Sequence, residues 1–376
     1  MNASRASATA FIVNSGSSSI KWELIDVESE RNLRSGIVER IGESGSAPDH
    51  ETAMQQILAE LDVEHPAVIG HRVVHGGSVF TAATLVTSEV EAAIEKLSAL
   101  APLHNPANLA GIRAARAAFP GVPNVAVFDT AFHQTLAPEA YTYAIDVEVA
   151  REHGVRRYGF HGTSYQYVSR VAGELLGRDD AKLIVFHLGN GASVAAIDGG
   201  RSVETSMGMT PLEGLVMGTR SGDLDAGALF HLGRAGLNLP ELDAMLNRRS
   251  GLLGLSGSGD MRDVQQGAAD GDTAAQLALD VYHHRLRHYL GAYLAQLGGA
   301  DAIVFTAGVG ENSPATRSAA VAGMTGLGIS LDESLNAVGS KVARVVSSGD
   351  SRIAVLVVPT NEELEIARQA VAVITA

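Results

Sequence analysis

Apolar positions along the chain follow two different periods. Short runs rich in Val, Ile and Phe, bounded by Gly, Pro or Asn, predict strands. These runs are "TAFIVN" (9–14), "IKWELID" (20–26), "AVIGHRVVH" (67–75), "VAVFDT" (125–130), "LIVFHLG" (183–189), "SVAAID" (193–198), "AIVFTAG" (302–308) and "RIAVLVVPT" (352–360). Apolar residues at i, i+3 and i+4 predict helices. The helical segments are 88–100, 105–119, 163–177, 273–298 and 361–375. Such mixing indicates an α/β protein of layered sheets.

Two segments repeat one local pattern. "FIVNSGSSSIKWELID" and "VFHLGNGASVAAID" each read as apolar strand, small-residue loop, strand and Asp. One such hairpin in each half predicts a duplicated domain, with a cleft between the copies. "FTAGVGENSPATRSAAV" adds a third Gly-rich element, which follows a strand and leads into a helix that Ser313 caps and Pro314 opens.

Three small-residue loops at strand ends favour a phosphate site. Backbone N–H groups in such loops, together with a helix N-terminus, bind a polyphosphate from several directions. The simpler interpretation of "NSGSSS" alone is a flexible serine loop. Neither the Walker pattern GxxxxGK[ST] nor a strand leading into GxGxxG occurs.

Composition narrows the function classes. The chain has 376 residues, so two or three domains of roughly 150 residues are expected. A net charge of −14 argues against nucleic-acid and anionic-membrane partners. The absence of cysteine excludes disulfides, thiol catalysis and Cys-ligated zinc. "MNASRASA" lacks the apolar region of a signal peptide and no apolar run is long enough to span a membrane, so we expect a cytoplasmic protein.

A series of motifs identifies a family. They are "NSGSSSIK", "GHRVVHGG", "PLHNPAN", "VFDTAFH", "YGFHGTS", "HLGNGAS", "TSMGMTPLEGLVMGTRSGD", "DMRDV", "FTAGVGENS" and "PTNEEL". In this order, from Asn14 to Leu364, they resemble the acetate kinase family, within the superfamily of acetate and sugar kinases, actin and heat-shock chaperone ATPases. Tyr165 departs from the family pattern, in which a His is more usual, and so does Ala226, where a Pro is.

The resemblance implies a fold and a reaction. The fold is α/β, with two similar domains of the actin-like ATPase (ribonuclease H-like) type and an active-site cleft between them. The N-terminal domain would comprise residues 1–133 plus 362–376, and the C-terminal nucleotide-binding domain residues 134–361. The reaction is reversible, Mg²⁺-dependent phosphoryl transfer from ATP to acetate, giving ADP and acetyl phosphate, with Mn²⁺ as an alternative ion. A homodimer is also implied.

Two arginines are candidates for holding the two anionic substrates. Arg72 ends a predicted strand, and Arg220 lies in the Gly-flanked "MGTRSGD". A planar guanidinium grips a carboxylate or phosphate with two N–H groups. Surface ion pairing is the common alternative. By resemblance, Arg72 binds the acyl carboxylate and Arg220 stabilises the transition state.

His161 and Asp129 are the other catalytic candidates. His161 precedes a predicted helix start that Thr163 or Ser164 would cap, and a lone His is more often structural; the resemblance makes it a donor to the transferring phosphoryl group. Asp129 follows a strand, where capping is a frequent role. The resemblance places it in the active site. Acetate is already ionised at neutral pH, so whether Asp129 is a base or orients Mg²⁺ or an arginine stays open.

The remaining predictions concern metal, nucleotide and acyl group. By resemblance, Asn14 and Glu362 contact Mg²⁺, although Glu362 also suits a helix first turn in which Thr360 and Glu363 form a capping box. The nucleotide-binding residues implied are Lys21, His187, Leu188, Gly189, Asn190, Gly191, Asp260, Met261, Arg262, Gly308, Val309, Gly310, Glu311 and Asn312. Val74, placed on the strand face of Arg72, joins Leu103, Phe160 and Pro211 in an apolar acyl pocket. The spacing of "HRVVH" resembles a zinc site, but the strand pattern disfavours one.

Three other functions compete with acetate kinase activity. Propionate kinase is the nearest, since the residues do not separate the two acids. A sugar kinase of the same fold would need polar side chains at the substrate site. A non-catalytic nucleotide switch would need a peptide-binding domain, and we expect no room for one in the residues after "PTNEEL".

Overall fold

The computed structural model describes residues 8–43, 46–61, 66–102 and 104–376. The strands are β1 (Thr9–Ser15), β2 (Ser19–Asp26), β3 (Arg31–Glu39), β4 (Val68–Val73), β5 (Thr84–Leu85), β6 (Asn124–Phe128), β7 (Lys182–Leu188), β8 (Ala192–Asp198), β9 (Arg201–Thr205), β10 (Ala302–Thr306), β11 (Arg344–Val345) and β12 (Ala354–Val357). The prediction that the N-terminus is not a signal peptide rests largely on residues 1–7, and one of the acyl-pocket candidates is Leu103. Both lie outside the described residues.

The helices vary widely in length. They are α1 (His50–Leu61), α2 (Ser88–Leu97), α3 (Asn105–Ala118), α4 (Pro138–Tyr141), α5 (Val147–His153), α6 (Gly162–Leu176), α7 (Ala226–Arg234), α8 (Leu239–Arg248), α9 (Gly251–Ser256), α10 (Met261–Ala269), α11 (Thr273–Leu297), α12 (Ala307–Asn312), α13 (Pro314–Val321), α14 (Glu333–Ala337) and α15 (Glu362–Thr375). None of the helices in the described ranges is both long and apolar enough to cross a membrane.

The chain forms two compact units. Unit 1 comprises Met1–Gln134, Gly162–Ser164 and Asn361–Ala376, and unit 2 comprises Thr135–His161 and Tyr165–Thr360. The domain boundaries expected from the sequence, after residues 133 and 361, stay a prediction.

The two units repeat one sheet. The order is β3-β2-β1-β4-β6-β5 in unit 1, and read in the same sense it is β9-β8-β7-β10-β12-β11 in unit 2. In both sheets, read in this order, the first two pairings are antiparallel, the next two are parallel and the last is antiparallel. The prediction of an α/β protein built from two similar halves is therefore confirmed.

The core of unit 1 lies on both faces of its sheet. Phe11 of β1 packs against the rings of Trp22 and Phe119, with α1 and α3 covering that side. Helix α15 packs against β1, β4 and β6. Because helices cover the parallel strands, β1, β4 and β6 are buried along most of their length, which is typical of parallel sheets.

The carboxyl ends of the parallel strands position the chemistry. In open α/β sheets ligands bind beyond these ends. In unit 1 the end of β4 carries Arg72 and the end of β6 leads into Asp129. In unit 2 the end of β7 leads into "GNG" and the end of β10 into α12.

Several local predictions were wrong at element ends. Strand β4 stops at Val73, so Val74 lies beyond it and does not share a strand face with Arg72. Strand β10 stops at Thr306, and "AGVGEN" forms α12 rather than an open loop. Ser313 and Pro314 do begin α13, with Ser313 Oγ accepting from Thr316 N–H, as predicted.

Two predicted helix caps were also wrong. Asn361, rather than Thr360, is the N-cap of α15, and its side chain accepts from Leu364 N–H at 3.0 Å. His161, rather than Thr163 or Ser164, is the N-cap of α6 and makes no side-chain cap. The chain turns into α6 through a left-handed residue, a conformation that a sequence pattern does not reveal.

Candidate active site

Arg72 and Asp129 form a bidentate ion pair at the sheet edge of unit 1. Strands β4 and β6 are parallel neighbours, with Val73 opposite Phe128, so Asp129 emerges beside the end of β4. Arg72 Nε donates to Asp129 Oδ1 at 3.0 Å, and Nη2 donates to Oδ2 at 2.6 Å. The carboxylate is 2 % exposed and the guanidinium side chain 23 %. Asp129 therefore orients the arginine that was predicted to bind the acyl carboxylate.

Further charges surround this pair. Arg72 Nε lies 3.8 Å from Glu362 Oε2. Lys21 pairs with Glu363 and, at 3.3 Å, with Glu23. We call Lys21, Glu23, Arg72, Asp129, Glu362 and Glu363 the charged cluster of unit 1. Its carboxylates outnumber its cations, so a further cation or a proton is favoured there.

Two carboxylates of this cluster have raised pKa values, chiefly because they are buried. Burial raises the pKa of Glu362 to about 7, with Asp129 adding to the rise and Arg72 opposing it. Burial also raises the pKa of Glu23. The charge of Asp129 raises the pKa of Arg72 above its ordinary value. Carboxylates with raised pKa values gain from a divalent cation nearby.

Asn14 and Glu362 were predicted to contact Mg²⁺. Asn14 lies at the end of β1 directly opposite Lys21 of β2, and Glu362 begins α15. Within the described part of the chain no group of three or more His, Asp or Glu residues could hold a metal ion. The oxygen donors fit Mg²⁺, which commonly takes one or two protein oxygens and completes its shell with waters and substrate phosphates.

Two asparagines of α3 hold the loop after β4, and sequence reasoning missed both. Asn108 accepts from Val74 N–H at 3.1 Å and donates to Ser15 O at 2.8 Å. Asn105 accepts from His75 N–H and donates to His75 O. Both side chains are buried. Both asparagines lie in the matched motif "PLHNPAN", which was the feature of the sequence that could have identified them.

His161 stands at the start of a polar network in unit 2. Its φ of 59° is left-handed, a conformation that costs energy in residues other than glycine and is concentrated at functional sites. Its Nδ1 lies 2.7 Å from Ser193 Oγ, and its ring stacks on that of His187 at a centroid distance of 4.1 Å. Strand β7 thus supports the predicted phosphoryl donor through His187.

Arg220 and His161 converge beside Gly191. A Cβ placed on Gly191 would lie 2.6 Å from Arg220 Nη2 and 3.6 Å from His161 Nε2. A side chain here would displace the Arg220 guanidinium and leave His161 at ordinary contact distance, so glycine lets Arg220 lie close to this backbone. Arg220 Nη1 donates to Pro211 O at 2.6 Å, and burial lowers the pKa of the guanidinium. A part-buried guanidinium that donates to a carbonyl oxygen keeps its positive charge uncompensated by that partner, which suits an anionic ligand.

The irregular segment carrying Arg220 is closed by Asp223. Asp223 Oδ1 accepts from Gly214 N–H at 2.8 Å, and Asp223 N–H donates to Gly214 O at 3.0 Å. On α11, Tyr289 Oη donates to Asp223 Oδ2 at 2.9 Å and Arg285 Nη1 lies 3.4 Å from it. These bonds fix both ends of the loop that presents Arg220.

A cavity of about 590 Å³ in unit 2 unites many of the predicted nucleotide residues. It is lined by Gly189, Asn190, Asp260, Met261, Arg262, Gly308, Val309 and Asn312. It is also lined by Gly218, Leu252, Gly259, Gln265, Tyr282 and Ser313, which were not predicted. Gly218, Gly259, Gln265 and Ser313 lie in or beside matched motifs, whereas Leu252 and Tyr282 lie outside them.

Other predicted nucleotide residues lie outside the lining of this cavity. His187, Leu188, Gly191, Gly310 and Glu311 are near neighbours in sequence of the lining residues, and Lys21 belongs to the charged cluster of unit 1. Glu311 instead accepts from Thr360 N–H at 3.1 Å. Asp260 caps α10 and pairs with Arg262 at 2.6 Å. That pair presents a charged rim to the cavity.

The acyl-pocket candidates are divided between the units. Val74 lies just past β4 in unit 1. Phe160 and Pro211 lie in unit 2, where Phe160 is 2 % exposed. Their shared contact with an acyl group stays a prediction.

Comparison with known proteins decides the family. A sequence model of the acetokinase family matches residues 9–368. The chain is 61 % identical to acetate kinase from Leifsonia xyli subsp. xyli, over 98 % of this chain and 100 % of that protein. It is 53 % identical to acetate kinase from Streptomyces griseus subsp. griseus, over 96 % and 95 %.

The chain belongs to the acetokinase family. Solved structures agree with this assignment. Acetate kinase from Porphyromonas gingivalis superposes with a TM-score of 0.94 at 41 % identity, covering 98 % of this chain and 100 % of that one. A propionate kinase from Francisella tularensis gives 0.92 at 38 %, covering 97 % and 99 %. The predicted family and fold are confirmed.

Proposed function

We propose that this protein catalyses the reversible transfer of the γ-phosphoryl group of ATP to acetate. A carboxylate oxygen of acetate attacks the γ-phosphorus, the bond from that phosphorus to the β–γ bridging oxygen breaks, and ADP and acetyl phosphate result. The observation that carries the proposal is the 61 % identity over 98 % of the chain to a protein named acetate kinase.

The charged groups supply what this reaction needs. Both substrates are anions, and the transition state spreads charge over the transferring phosphoryl group, so positioned cations and N–H donors provide most of the catalysis. Arg72 would hold the acetate carboxylate with its guanidinium. Arg220 and His161, which converge beside Gly191, would donate to the phosphoryl oxygens.

Asp129 acts as an orienting group in this proposal. Both of its oxygens accept from Arg72, so the carboxylate fixes the plane of the guanidinium. Acetate has a carboxyl pKa well below neutrality, so it needs no base before it attacks. The alternative left open by the sequence, general-base catalysis by Asp129, is not required.

The nucleotide would occupy the unit 2 cavity. Gly189, Gly218, Gly259 and Gly308 allow close backbone approach, and Leu252 with Met261 offers apolar surface to a base. Asn14 and Glu362 would hold Mg²⁺, with Mn²⁺ as a substitute. When bound, the ion neutralises phosphate charge and orients the phosphate chain. We further propose a cytoplasmic homodimer, as the resemblance implies.

Propionate is the second candidate acceptor. The propionate kinase from Francisella tularensis has a closely similar fold at 38 % identity, so the fold alone does not select the acid. The test is ATP-dependent acyl phosphate formation with formate, acetate, propionate, butyrate and a few sugars. Highest kcat/KM for acetate supports the proposal. A higher value for propionate would favour the second candidate, and activity on sugars alone would overturn both.

A further inference from the structure

His161 belongs to a chain of three hydrogen-bonding side chains in unit 2. Its Nδ1 lies 2.7 Å from Ser193 Oγ, and Tyr165 Oη lies 2.6 Å from the same oxygen. Ser193 and Tyr165 are both 0 % exposed. Tyr165 lies in the first turn of α6 and His161 is the N-cap residue before that turn, and both side chains reach Ser193 of β8.

The hydroxyl of Ser193 has one proton to share between two neighbours. If Tyr165 donates to Ser193 Oγ, the serine proton is directed to Nδ1 of His161. An Nδ1 that accepts this proton leaves the ring hydrogen on Nε2, because the hydrogen bond made by one ring nitrogen sets the state of the other. Burial raises the pKa of Tyr165 well above its ordinary value, so the phenol keeps its proton and can serve as the donor.

The other ring nitrogen of His161, Nε2, lies on the side of Gly191 and Arg220. Nε2 lies 3.6 Å from the position of a Cβ on Gly191, which also adjoins Arg220 Nη2. The His187 ring, stacked at an interplanar angle of 17°, fixes the ring plane of His161. An Nε2–H in this place is a hydrogen-bond donor beside the part-buried guanidinium of Arg220.

We propose that Tyr165 and Ser193 are positioning residues that hold His161 in the neutral tautomer with its hydrogen on Nε2. The relay runs from Tyr165 Oη–H to Ser193 Oγ, and from Ser193 Oγ–H to His161 Nδ1. It rests on the proposed function for its purpose, which is to keep an N–H donor directed toward the transferring phosphoryl group.

The relay is tested directly by the tautomer of His161 in the substrate-free protein. Protein with ¹⁵N-labelled histidine is examined by long-range ¹H–¹⁵N correlation, and the His161 signals are assigned by their loss in His161→Gln. The relay requires an unprotonated Nδ1 and a protonated Nε2 in the wild type. Protonation on Nδ1 overturns it.

Tyr165→Phe removes only the phenolic hydroxyl. Without the phenol, the Ser193 hydroxyl is no longer oriented toward Nδ1 and can accept from an Nδ1–H instead, so both tautomers become populated and the two nitrogen resonances move toward each other. The matched control is Tyr167→Phe, a tyrosine of the same helix whose ring contacts Arg170. The control should leave the His161 signals in place. Unchanged signals in folded Tyr165→Phe overturn the relay.

The kinetic constants of the variant distinguish a positioning role of Tyr165 from a contribution to fold stability alone. In Tyr165→Phe, kcat should fall roughly three- to tenfold, as the competent tautomer becomes a minor fraction, while the KM values for ATP and acetate stay within about twofold. If this variant does not fold, Ser193→Ala tests the same connection. If His161 shows the expected tautomer but the enzyme forms no acyl phosphate, the proposed function is refuted and the relay is not. If the enzyme forms acyl phosphate but the His161 signals do not change in Tyr165→Phe, the relay is refuted and the proposed function is not.

Discussion

Asp129 holds the guanidinium of Arg72 through two parallel hydrogen bonds, 3.0 Å from Nε to Oδ1 and 2.6 Å from Nη2 to Oδ2. The residues are 57 positions apart and meet because β4 and β6 are parallel neighbours whose carboxyl ends coincide. The pairing turns a flexible side chain into a fixed planar grip before substrate arrives, which reduces the ordering cost of binding.

Because Arg72 and Asp129 form one ion pair, the effects of substituting each residue on kcat/KM should not be additive. Arg72→Ala should raise the KM for acetate strongly and lower kcat, with the KM for ATP nearly constant. Asp129→Asn keeps the shape but removes the counter-charge, so kcat/KM for acetate should fall on the order of 100-fold. Because Asp129 acts through Arg72, the double variant should be no worse than Arg72→Ala. Strictly additive losses would instead reveal an independent role of Asp129, such as that of a base.

Glu362 is predicted to contact Mg²⁺. Glu362→Gln should therefore shift the Mg²⁺ dependence of activity to about tenfold higher concentration. The matched control is Glu148→Gln, an exposed helical glutamate of unit 2 whose carboxylate pairs with Arg151. The control should leave the Mg²⁺ dependence unchanged. A drop in thermal stability alone in Glu362→Gln would mean that the residue serves only the helix N-terminus.

Val74 is predicted to contact the apolar end of the acyl group. Val74→Ala should raise the propionate-to-acetate ratio of kcat/KM on the order of tenfold, because a methylene in an apolar pocket is worth about 1–3 kcal/mol. Val73→Ala is the control, since that neighbour is 0 % exposed and belongs to the core. The control should lose stability and keep the ratio. An unchanged ratio in Val74→Ala would assign Val74 to ordinary packing.

Asp223 is predicted to fix the loop that carries Arg220. Asp223→Asn weakens the bonds to Gly214 N–H, Tyr289 and Arg285, so kcat should fall about tenfold while both KM values change little. Asp225→Asn, two residues on, removes a charge that only caps α7. That control should affect stability and not kcat. Equal effects of the two variants on kcat would argue against the loop closure.

His71 is predicted to make stability depend on pH. Burial lowers its pKa to about 4, below the ordinary value of 6.5. Between these values the unfolded chain binds more protons, so the stability is complete above pH 6.5 and is lost as pH falls toward 4. At about 1.4 kcal/mol for each pKa unit, the loss is on the order of 3 kcal/mol.

His71→Gln retains an amide beside Asn124 but does not titrate. Urea unfolding between about pH 4 and pH 7 should show a flatter dependence in this variant than in the wild type. The control His153→Gln, at an exposed position, should retain the full dependence. A dependence equally steep in His71→Gln would remove His71 as its source.

The strands and helices of the sheet core were predictable because each carries its own periodic signal. The strand pattern at 9–14 and the helical pattern at 273–298 lie within a residue or two of β1 and α11. Strand β3 carries no such periodic signal, because its side chains are mostly exposed and polar. Its extended conformation depends on pairing with β2. Short helices such as α9 and α12 likewise depend on their surroundings.

Motifs and periodicity are local, so they were enough to reveal the family, the two repeated halves and the candidate residues. Which of those residues meet became known from the folded chain. Arg72 meets Asp129 through the register of two parallel strands, and His161, just before α6, meets Ser193 of β8 through a side-chain contact. Hydrogen bonds depend on ångström distances between atoms that folding brings together, and no spacing along a chain encodes those distances.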